Sequence, residues 1–179
     1  MSSRVTFIEL TGGKGHNILS ASPGPSLTAH RYDEREYAAV GRARRFESTS
    51  SGDVAEADSA EFTTRILVRR PENDSDFNGY VVVEWFNVSS GTDAAPEYTY
   101  LAPEIVRSGC AWVGVSAQYT GIEGGAGSVG MDDGDTPTRL ADKDPDRYGS
   151  LRHPGDGYSY DIFGAIGGAL AANHSQGHP

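Results

Sequence analysis

The spacing of apolar and polar residues predicts β-strands in the first 70 positions of the chain. Residues 4–10 and 32–46 carry apolar side chains in a short-period pattern. Residues 62–70 are predicted to form a strand with Thr64, Ile66 and Val68 on one face and Arg65 and Arg69 on the other. Residues 47–58 are polar and rich in serine, so we expect a surface loop there.

The middle of the chain predicts a strand, a helix and a second strand. Residues 80–86 and 110–117 are near-continuous apolar runs, as expected for strands covered on both faces. Residues 96–108 have apolar side chains at helical spacing, although Pro103 lies in the middle of them. Because an internal proline removes a backbone hydrogen bond, we expect two short helices, the second beginning at Pro103. Two strands joined in this way form a parallel pair with a right-handed crossover.

The last third of the chain predicts a long connection followed by a helix. Residues 118–146 are rich in glycine and acidic residues, and connections of this length are often functional. A helix is expected from about Tyr158, with Asp156 as its N-cap. Glycines at positions 164, 167 and 168 are unfavourable in an exposed helix, so we expect them to approach the sheet closely. The apolar stripe of this helix consists of Tyr158, Ile162, Ile166 and Leu170.

The chain is acidic, and its charge is unevenly distributed. The net charge is −10; residues 1–70 hold ten Lys and Arg against nine Asp and Glu, whereas residues 71–179 hold five against sixteen. Nucleic-acid binding depends on neutralising phosphates with Lys and Arg, so this balance argues against a nucleic-acid partner. The same balance argues against adsorption to anionic membranes.

The sequence carries no recognisable signal for export or membrane insertion. The first ten residues lack the apolar segment of a signal peptide, and no run approaches the roughly 18 apolar residues of a transmembrane helix. Cys110 is the only cysteine, so no intramolecular disulfide can form. We therefore expect one domain over residues 1–179 and a cytoplasmic location.

Several short segments occur in a characteristic order between residues 60 and 170. They are Thr64-Arg-Ile-Leu-Val-Arg-Arg-Pro71, Gly79-Tyr-Val-Val-Val-Glu-Trp-Phe-Asn87, Tyr100-Leu-Ala-Pro-Glu-Ile105, Val113-Gly-Val-Ser-Ala-Gln118, Asp144-Pro-Asp-Arg-Tyr-Gly-Ser-Leu151, His153-Pro-Gly-Asp156 and Tyr158-Ser-Tyr-Asp-Ile-Phe163. In this order they resemble the α/β-hydrolase superfamily. More closely, they resemble a family of "alpha/beta hydrolase domain" proteins of largely uncharacterised activity. Residues 1–59 match the family only loosely.

The resemblance implies an α/β fold: a partial α/β-hydrolase-type sheet, mostly parallel, with antiparallel strands at its N-terminal end. In the superfamily the nucleophilic serine lies on a Gly-X-Ser-X-Gly turn between a strand and a helix, and the catalytic acid and histidine follow it. Ser116 comes nearest to such a turn, but it lies within a predicted strand, so we interpret it as a core or strand-end serine. The nucleophile elbow, acid and histidine are therefore expected outside this chain, which we interpret as the truncated N-terminal part of the domain.

The part of the catalytic apparatus that the resemblance assigns to this chain is the oxyanion loop. One donor of the oxyanion hole is a backbone N–H in the loop after the strand over residues 80–86. The candidate residues are therefore Asn87, Val88 and Ser89. The alternative is that Asn87 only turns the chain at the end of the strand.

The remaining polar residues predict no cofactor and no metal site. Asp142, Asp144 and Asp146 alternate as in an EF-hand loop, but Arg147 stands where that loop has glycine, and His153 where it has glutamate. We interpret this segment as a turn in which Arg147 pairs with a carboxylate, and His153 as a structural or surface residue. The acidic residues of the preceding connection are expected to be solvated; they are Asp132, Asp133 and Asp135.

Two functions remain open at this point. The first is hydrolysis of a small-molecule ester or related acyl compound by a complete protein, of which this chain alone is inactive. The second is a non-enzymatic module that binds a partner, either a separately encoded C-terminal half or another copy of the chain. A parallel sheet that stopped after the last predicted helix would leave an unpaired apolar edge strand for such a partner.

Overall fold

Five strands form one mixed sheet in the computed structural model of the chain, which describes residues 5–19, 22–128 and 138–175. Their order across the sheet is β1-β2-β3-β5-β4. Strands β4 and β5 are parallel, and the other neighbouring pairs are antiparallel. The strands are β1 (Thr6–Glu9), β2 (Tyr32–Ser48), β3 (Val54–Pro71), β4 (Val81–Trp85) and β5 (Ala111–Val115).

The described sheet is α/β in class and antiparallel at its N-terminal end, as predicted, but it is mostly antiparallel rather than mostly parallel. The reason is the long antiparallel hairpin of β2 and β3. Its pairing begins with Tyr32 opposite Pro71 and ends with Ser48 opposite Val54. Part of the predicted surface loop over residues 47–58 therefore belongs to β3. Its side chains from Val54 to Asp58 are exposed on both faces, so they show none of the alternation that marks a half-buried strand.

The helix between β4 and β5 is continuous, and the predicted break at Pro103 does not occur. This helix, α1 (Pro96–Ser108), contains Pro103 on its exposed side. Its buried side chains are Tyr98, Ala102 and Ile105, which pack with the sheet. The proline costs one backbone hydrogen bond, and the packing of the opposite side keeps the two halves in one helix.

The helices cover the two faces of the sheet. Successive residues of a strand point to opposite faces of the sheet, so Ile66 and Leu67 of β3 belong to two different cores, one on each face. Leu67 packs with α1, whereas Ile66 packs with α5 (Ser159–Ser175). The shorter helices α2 (Tyr119–Glu123), α3 (Leu140–Lys143) and α4 (Pro145–Tyr148) precede α5. Within the described ranges, none of the helices has both the length and the apolar character that crossing a membrane would require.

The buried stripe of α5 is confirmed in part, and the expected close approach of its glycines is wrong. Ile162 and Ile166 are fully buried against the sheet. A Cβ placed on Gly164, Gly167 or Gly168 would have no neighbour within 4 Å. The glycines therefore face away from the tightly packed side of the helix.

The start of α5 also differs from the prediction. A single 3-10 turn over Asp156–Tyr158 leads into the helix, and Gly155 is the N-cap of that turn. The Asp156 carboxylate accepts the backbone N–H of Tyr119 at 2.8 Å. Asp156 therefore links the start of α5 to α2 instead of acting as the predicted N-cap.

Candidate active-site loop

The loop between β4 and α1 lies at the carboxyl ends of the two parallel strands. In open α/β sheets this end, where the chain leaves neighbouring parallel strands, is where ligands bind. The loop is closed by two backbone hydrogen bonds between Asn87 and Ala94, of 2.9 and 2.8 Å. Leu19 pairs with the end of the loop next to α1: its N–H donates to Asp93 O, and its carbonyl oxygen accepts the Ala95 N–H, each at 3.0 Å. The loop therefore has fixed ends on both sides.

The three candidate oxyanion donors are not equivalent in this loop. The N–H of Asn87 donates to Ala94 O, and the N–H of Ser89 donates to Asn87 Oδ1 at 2.9 Å. The N–H of Val88 makes no hydrogen bond within the part of the chain that the structure describes. Asn87 thus turns the chain at the end of β4, and Val88 is the candidate whose N–H is open within the described residues.

Glu84 of β4 fixes the start of α1 next to this loop. Its side chain is 5% exposed and accepts the N–H groups of Glu97 and Tyr98 at 3.0 and 2.9 Å. It also accepts the indole N–H of Trp112 at 2.9 Å. Burial, together with a hydrogen bond to the Glu97 side chain, raises the pKa of Glu84 to about 7. The carboxylate satisfies backbone donors at the helix N-terminus that have no partner inside the helix.

Ser116 lies directly after β5, and its side chain points into the protein. It is fully buried and donates to Asp93 Oδ2 at 2.5 Å. Asp93 is 2% exposed; burial raises its pKa, opposed by the nearby Arg65 guanidinium and by the Ser116 hydroxyl. Ser116 is thus a buried strand-end serine, as we interpreted it, and lacks the exposed position of a nucleophile elbow.

His153 has a structural role in which both ring nitrogens are occupied. Nδ1 accepts the Gly155 N–H at 3.1 Å, so Nε2 carries the proton and donates to Ala117 O at 2.9 Å. Burial lowers the pKa of His153 and favours this neutral form. Neither nitrogen is therefore available to accept a proton from a serine, which agrees with the structural interpretation of this residue.

Residues 144–148 bind the N-terminal loop, by which we mean residues 10–19 after β1. Asp144 Oδ2 accepts the N–H groups of Lys14 and Gly15 at 2.7 and 2.8 Å, and the Tyr148 hydroxyl accepts the N–H of His16 at 2.8 Å. The Asp144 carboxylate is thus engaged by backbone donors. Asp132, Asp133 and Asp135 lie outside the described residues.

A buried carboxylate lies at the centre of this contact. Glu36 accepts a hydrogen bond from the Tyr148 hydroxyl at 2.9 Å and pairs with Arg147 at 2.7 Å. The pairing of Arg147 with a carboxylate is as predicted. Arg65 Nε lies 3.3 Å from Glu36 Oε1, the oxygen that also accepts the Tyr148 hydroxyl. The Arg65 guanidinium is 5.6 Å from the centre of the Tyr148 ring. Tyr148 and Arg147, from one of the segments that carry the resemblance, therefore have a structural role.

A polar cleft also lies between the N-terminal loop, β2, β3 and Tyr98. Gly12, His16, Arg35 and Arg69 are among the residues that line it. Its lining does not include Asn87, Val88 or Ser89. The cleft is therefore separate from the candidate active-site loop. Within the cleft, Arg69 pairs with Glu34 at 2.7 Å, so the charge of Arg69 is already balanced.

Sequence reasoning missed the buried charged residues around the loop. Glu84 and Arg65 each interrupt an apolar strand, and that interruption is the signal that could have identified them. Asp93 lies in a polar loop, where an acidic residue is ordinary and gives no such signal.

No curated protein and no solved structure shows detectable similarity to the chain. The model of one family, described as "Alpha/beta hydrolase domain", matches residues 7–179. The match extends well beyond the 60–170 region that carried the resemblance. The chain therefore belongs to the alpha/beta hydrolase domain family.

Proposed function

We propose that this chain is the N-terminal portion of a serine hydrolase that acts on a small-molecule ester or related acyl compound. In this proposal the nucleophile elbow, the acid and the catalytic histidine lie outside the chain. The Val88 N–H supplies one donor of the oxyanion hole. The observation that supports the proposal is the open N–H of Val88 in a loop whose neighbouring donors are occupied.

The chemistry assigns this N–H a defined role. When a serine oxygen attacks the ester carbonyl, the electron pair of the C=O bond moves to the oxygen and leaves it negatively charged. A backbone N–H fixed in position before the reaction stabilises that charge without reorganisation. Asn87 and Glu84 hold the loop and the start of α1 on either side of Val88.

The test removes the donor and leaves the loop in place. The chain is combined with a family segment that supplies the elbow, acid and histidine, and hydrolysis of p-nitrophenyl esters is measured. We expect Val88→Pro, which has no N–H, to lower kcat by about 10²–10³-fold. Val88→Ala, which keeps the N–H, should stay close to the parent.

Two results would overturn the proposal. One is an unchanged kcat in a folded Val88→Pro protein. The other is turnover of the esters by the 179-residue chain alone, since we expect that chain to be inactive without the missing groups.

A second candidate function is a module that binds a partner along the edge of its sheet. Among the described strands, β4 pairs only with β5, so its other side is open. Trp85 at its end packs with Phe163 and with Tyr160, which is 86% exposed. An open edge beside the exposed ring of Tyr160 favours pairing with a further strand. Sedimentation of the purified chain over a range of concentrations tests this candidate, since a monomer at every concentration argues against self-association.

A further inference from the structure

Asp93 connects the candidate active-site loop to the interior of the sheet. It immediately precedes Ala94, whose backbone pairs with Asn87 to close the loop. Its side chain turns inward and accepts the Ser116 hydroxyl at 2.5 Å. The loop is thus attached to the end of β5 as well as to β4 and α1.

Ser116 is a rigid attachment point. Its N–H donates to Arg65 O at 3.0 Å, and its carbonyl oxygen accepts the Thr64 hydroxyl. Thr64, Arg65 and Ser116 are all fully buried. A side chain that binds Ser116 is therefore held relative to two strands of the sheet.

The space around Asp93 is narrow and charged. A Cβ on Gly121 of α2 would lie 2.2 Å from Asp93 Oδ1, so α2 covers the carboxylate closely. The Arg65 guanidinium is fully buried and attracts the carboxylate. Within the described residues, Asp93 Oδ1 and the three guanidinium nitrogens of Arg65 make no hydrogen bond. Among the described residues, the Ser116 hydroxyl is thus the hydrogen-bond donor that orients the carboxylate.

The hydrogen bonds nearest to Val88 join residues of the loop to one another, beginning with the Ser89 N–H, which donates to Asn87 Oδ1 at 2.9 Å. The Gly91 N–H donates to Val88 O at 2.9 Å, and Ser90 Oγ reaches Thr92 O at 3.4 Å. The direction of the Val88 N–H therefore depends on how the ends of the loop are held.

We propose that Asp93 is a positioning residue that sets the direction of the Val88 N–H through its buried hydrogen bond to Ser116. The proposal rests on the proposed function in that it assigns the Val88 N–H to the oxyanion hole. The attachment itself can be tested without catalysis. A failure of the oxyanion role and a failure of the attachment are therefore distinguishable.

The test uses the full 179-residue chain labelled with ¹⁵N. The variants are Ser116→Ala and Asp93→Ala, which each remove the hydrogen bond, and Asp93→Asn, which keeps an acceptor oxygen for Ser116. The readouts are the N–H residual dipolar coupling and the order parameter of Val88. The exposed Asp53→Ala, at the tip of the β2–β3 hairpin, is the control.

We expect both alanine variants to change the Val88 dipolar coupling and to lower its order parameter from the rigid range near 0.85 towards about 0.6. The double alanine variant should match either single variant, because both remove the same bond. Asp93→Asn should restore most of the parent values, and Asp53→Ala should leave them unchanged. A folded Ser116→Ala chain with an unchanged Val88 coupling and order parameter would overturn the proposal. So would a Ser116→Ala chain that does not fold, since Ser116 would then support the whole core rather than the loop.

Discussion

Charged side chains inside apolar strands dominate the chemistry of this protein at the residue scale. Glu84 and Arg65 lie in β4 and β3, and each is buried among apolar neighbours. A buried charge without partners is costly, and the two residues differ in what offsets that cost. Arg65 lies beside Glu36, whereas the Glu84 carboxylate meets neutral donors of the backbone and of Trp112. Among the described residues no cation pairs with Glu84, and burial together with the hydrogen bond to the Glu97 side chain raises its pKa.

The raised pKa of Glu84 predicts a pH dependence of stability. The folded pKa is about 7, and the ordinary value is 4.5. Between these values the folded state holds a proton that the unfolded state releases, so the free energy of unfolding falls as the pH rises through this window. We expect Glu84→Gln to flatten this slope, as measured by urea unfolding at several pH values between about 4.5 and 8.

Comparison with the parent isolates the effect of Glu84. The pKa of His153 is lowered, so its contribution has the opposite sign: the unfolded state binds the extra proton, and stability is lost as the pH falls below the ordinary value of 6.5. His153 is present in both proteins, so its effect cancels in the difference. Equal slopes for Glu84→Gln and the parent would contradict the prediction.

At the scale of single elements, glycines in different settings have opposite roles. Gly109 ends α1 with a φ of 75°, and a Cβ there would lie 2.4 Å from Asp76 O. Gly164 lies within α5 in open space. Position 109 needs glycine because its φ is in the left-handed region and a side chain would clash with Asp76 O. Position 164 has neither requirement.

These two positions form a matched pair of substitutions. We expect Gly109→Ala to lower the free energy of unfolding by at least about 1–2 kcal/mol, because alanine is strained in the left-handed region. Gly164→Ala should raise it by up to about 1 kcal/mol, since alanine is the better helix former. Urea unfolding of both variants measures the two values. A loss of stability in Gly164→Ala would show that this side of α5 is packed after all.

The elements also show how far the sequence alone could predict the fold. Apolar runs identified β4 and β5, because a strand covered on both faces needs apolar residues throughout. The outer half of the β2–β3 hairpin was not predictable in this way, since its side chains are solvated and its pairing comes from the partner strand. The continuity of α1 through Pro103 depends on tertiary packing, which local rules do not contain. For the loop, the resemblance indicated three candidates, but only the hydrogen bonds distinguish Val88 from Asn87 and Ser89.

At the scale of the whole molecule, the candidate loop is held by elements far apart in the chain. Glu84 joins β4 to α1, Asp93 joins the loop to Ser116 after β5, and Leu19 pairs with the loop from the N-terminal segment. Residues 147 and 148, from another segment of the resemblance, act at a different place, around Glu36.

The open edge of β4 gives the last prediction, because the direction of its backbone groups can be derived. Ala111 N–H donates to Tyr80 O and Phe86 N–H to Val115 O, at 2.9 and 3.0 Å, so even-numbered residues turn their backbone towards β5. The N–H and C=O of Val83 therefore face outward, and proline is compatible with such an edge position.

If a strand from a second copy or a partner pairs with this edge, Val83→Pro removes one of its hydrogen bonds and leaves the β5 pairing intact. We expect Val83→Pro to weaken association by about tenfold or more in sedimentation equilibrium, which corresponds to about 1.4 kcal/mol of binding free energy. Val83→Ala keeps the N–H, so its association constant should be closer to that of the parent than the constant of Val83→Pro is. Equal association constants for the folded proline variant and the alanine variant would mean that the contact lies elsewhere, with the Trp85 and Tyr160 rings as the next surface to vary.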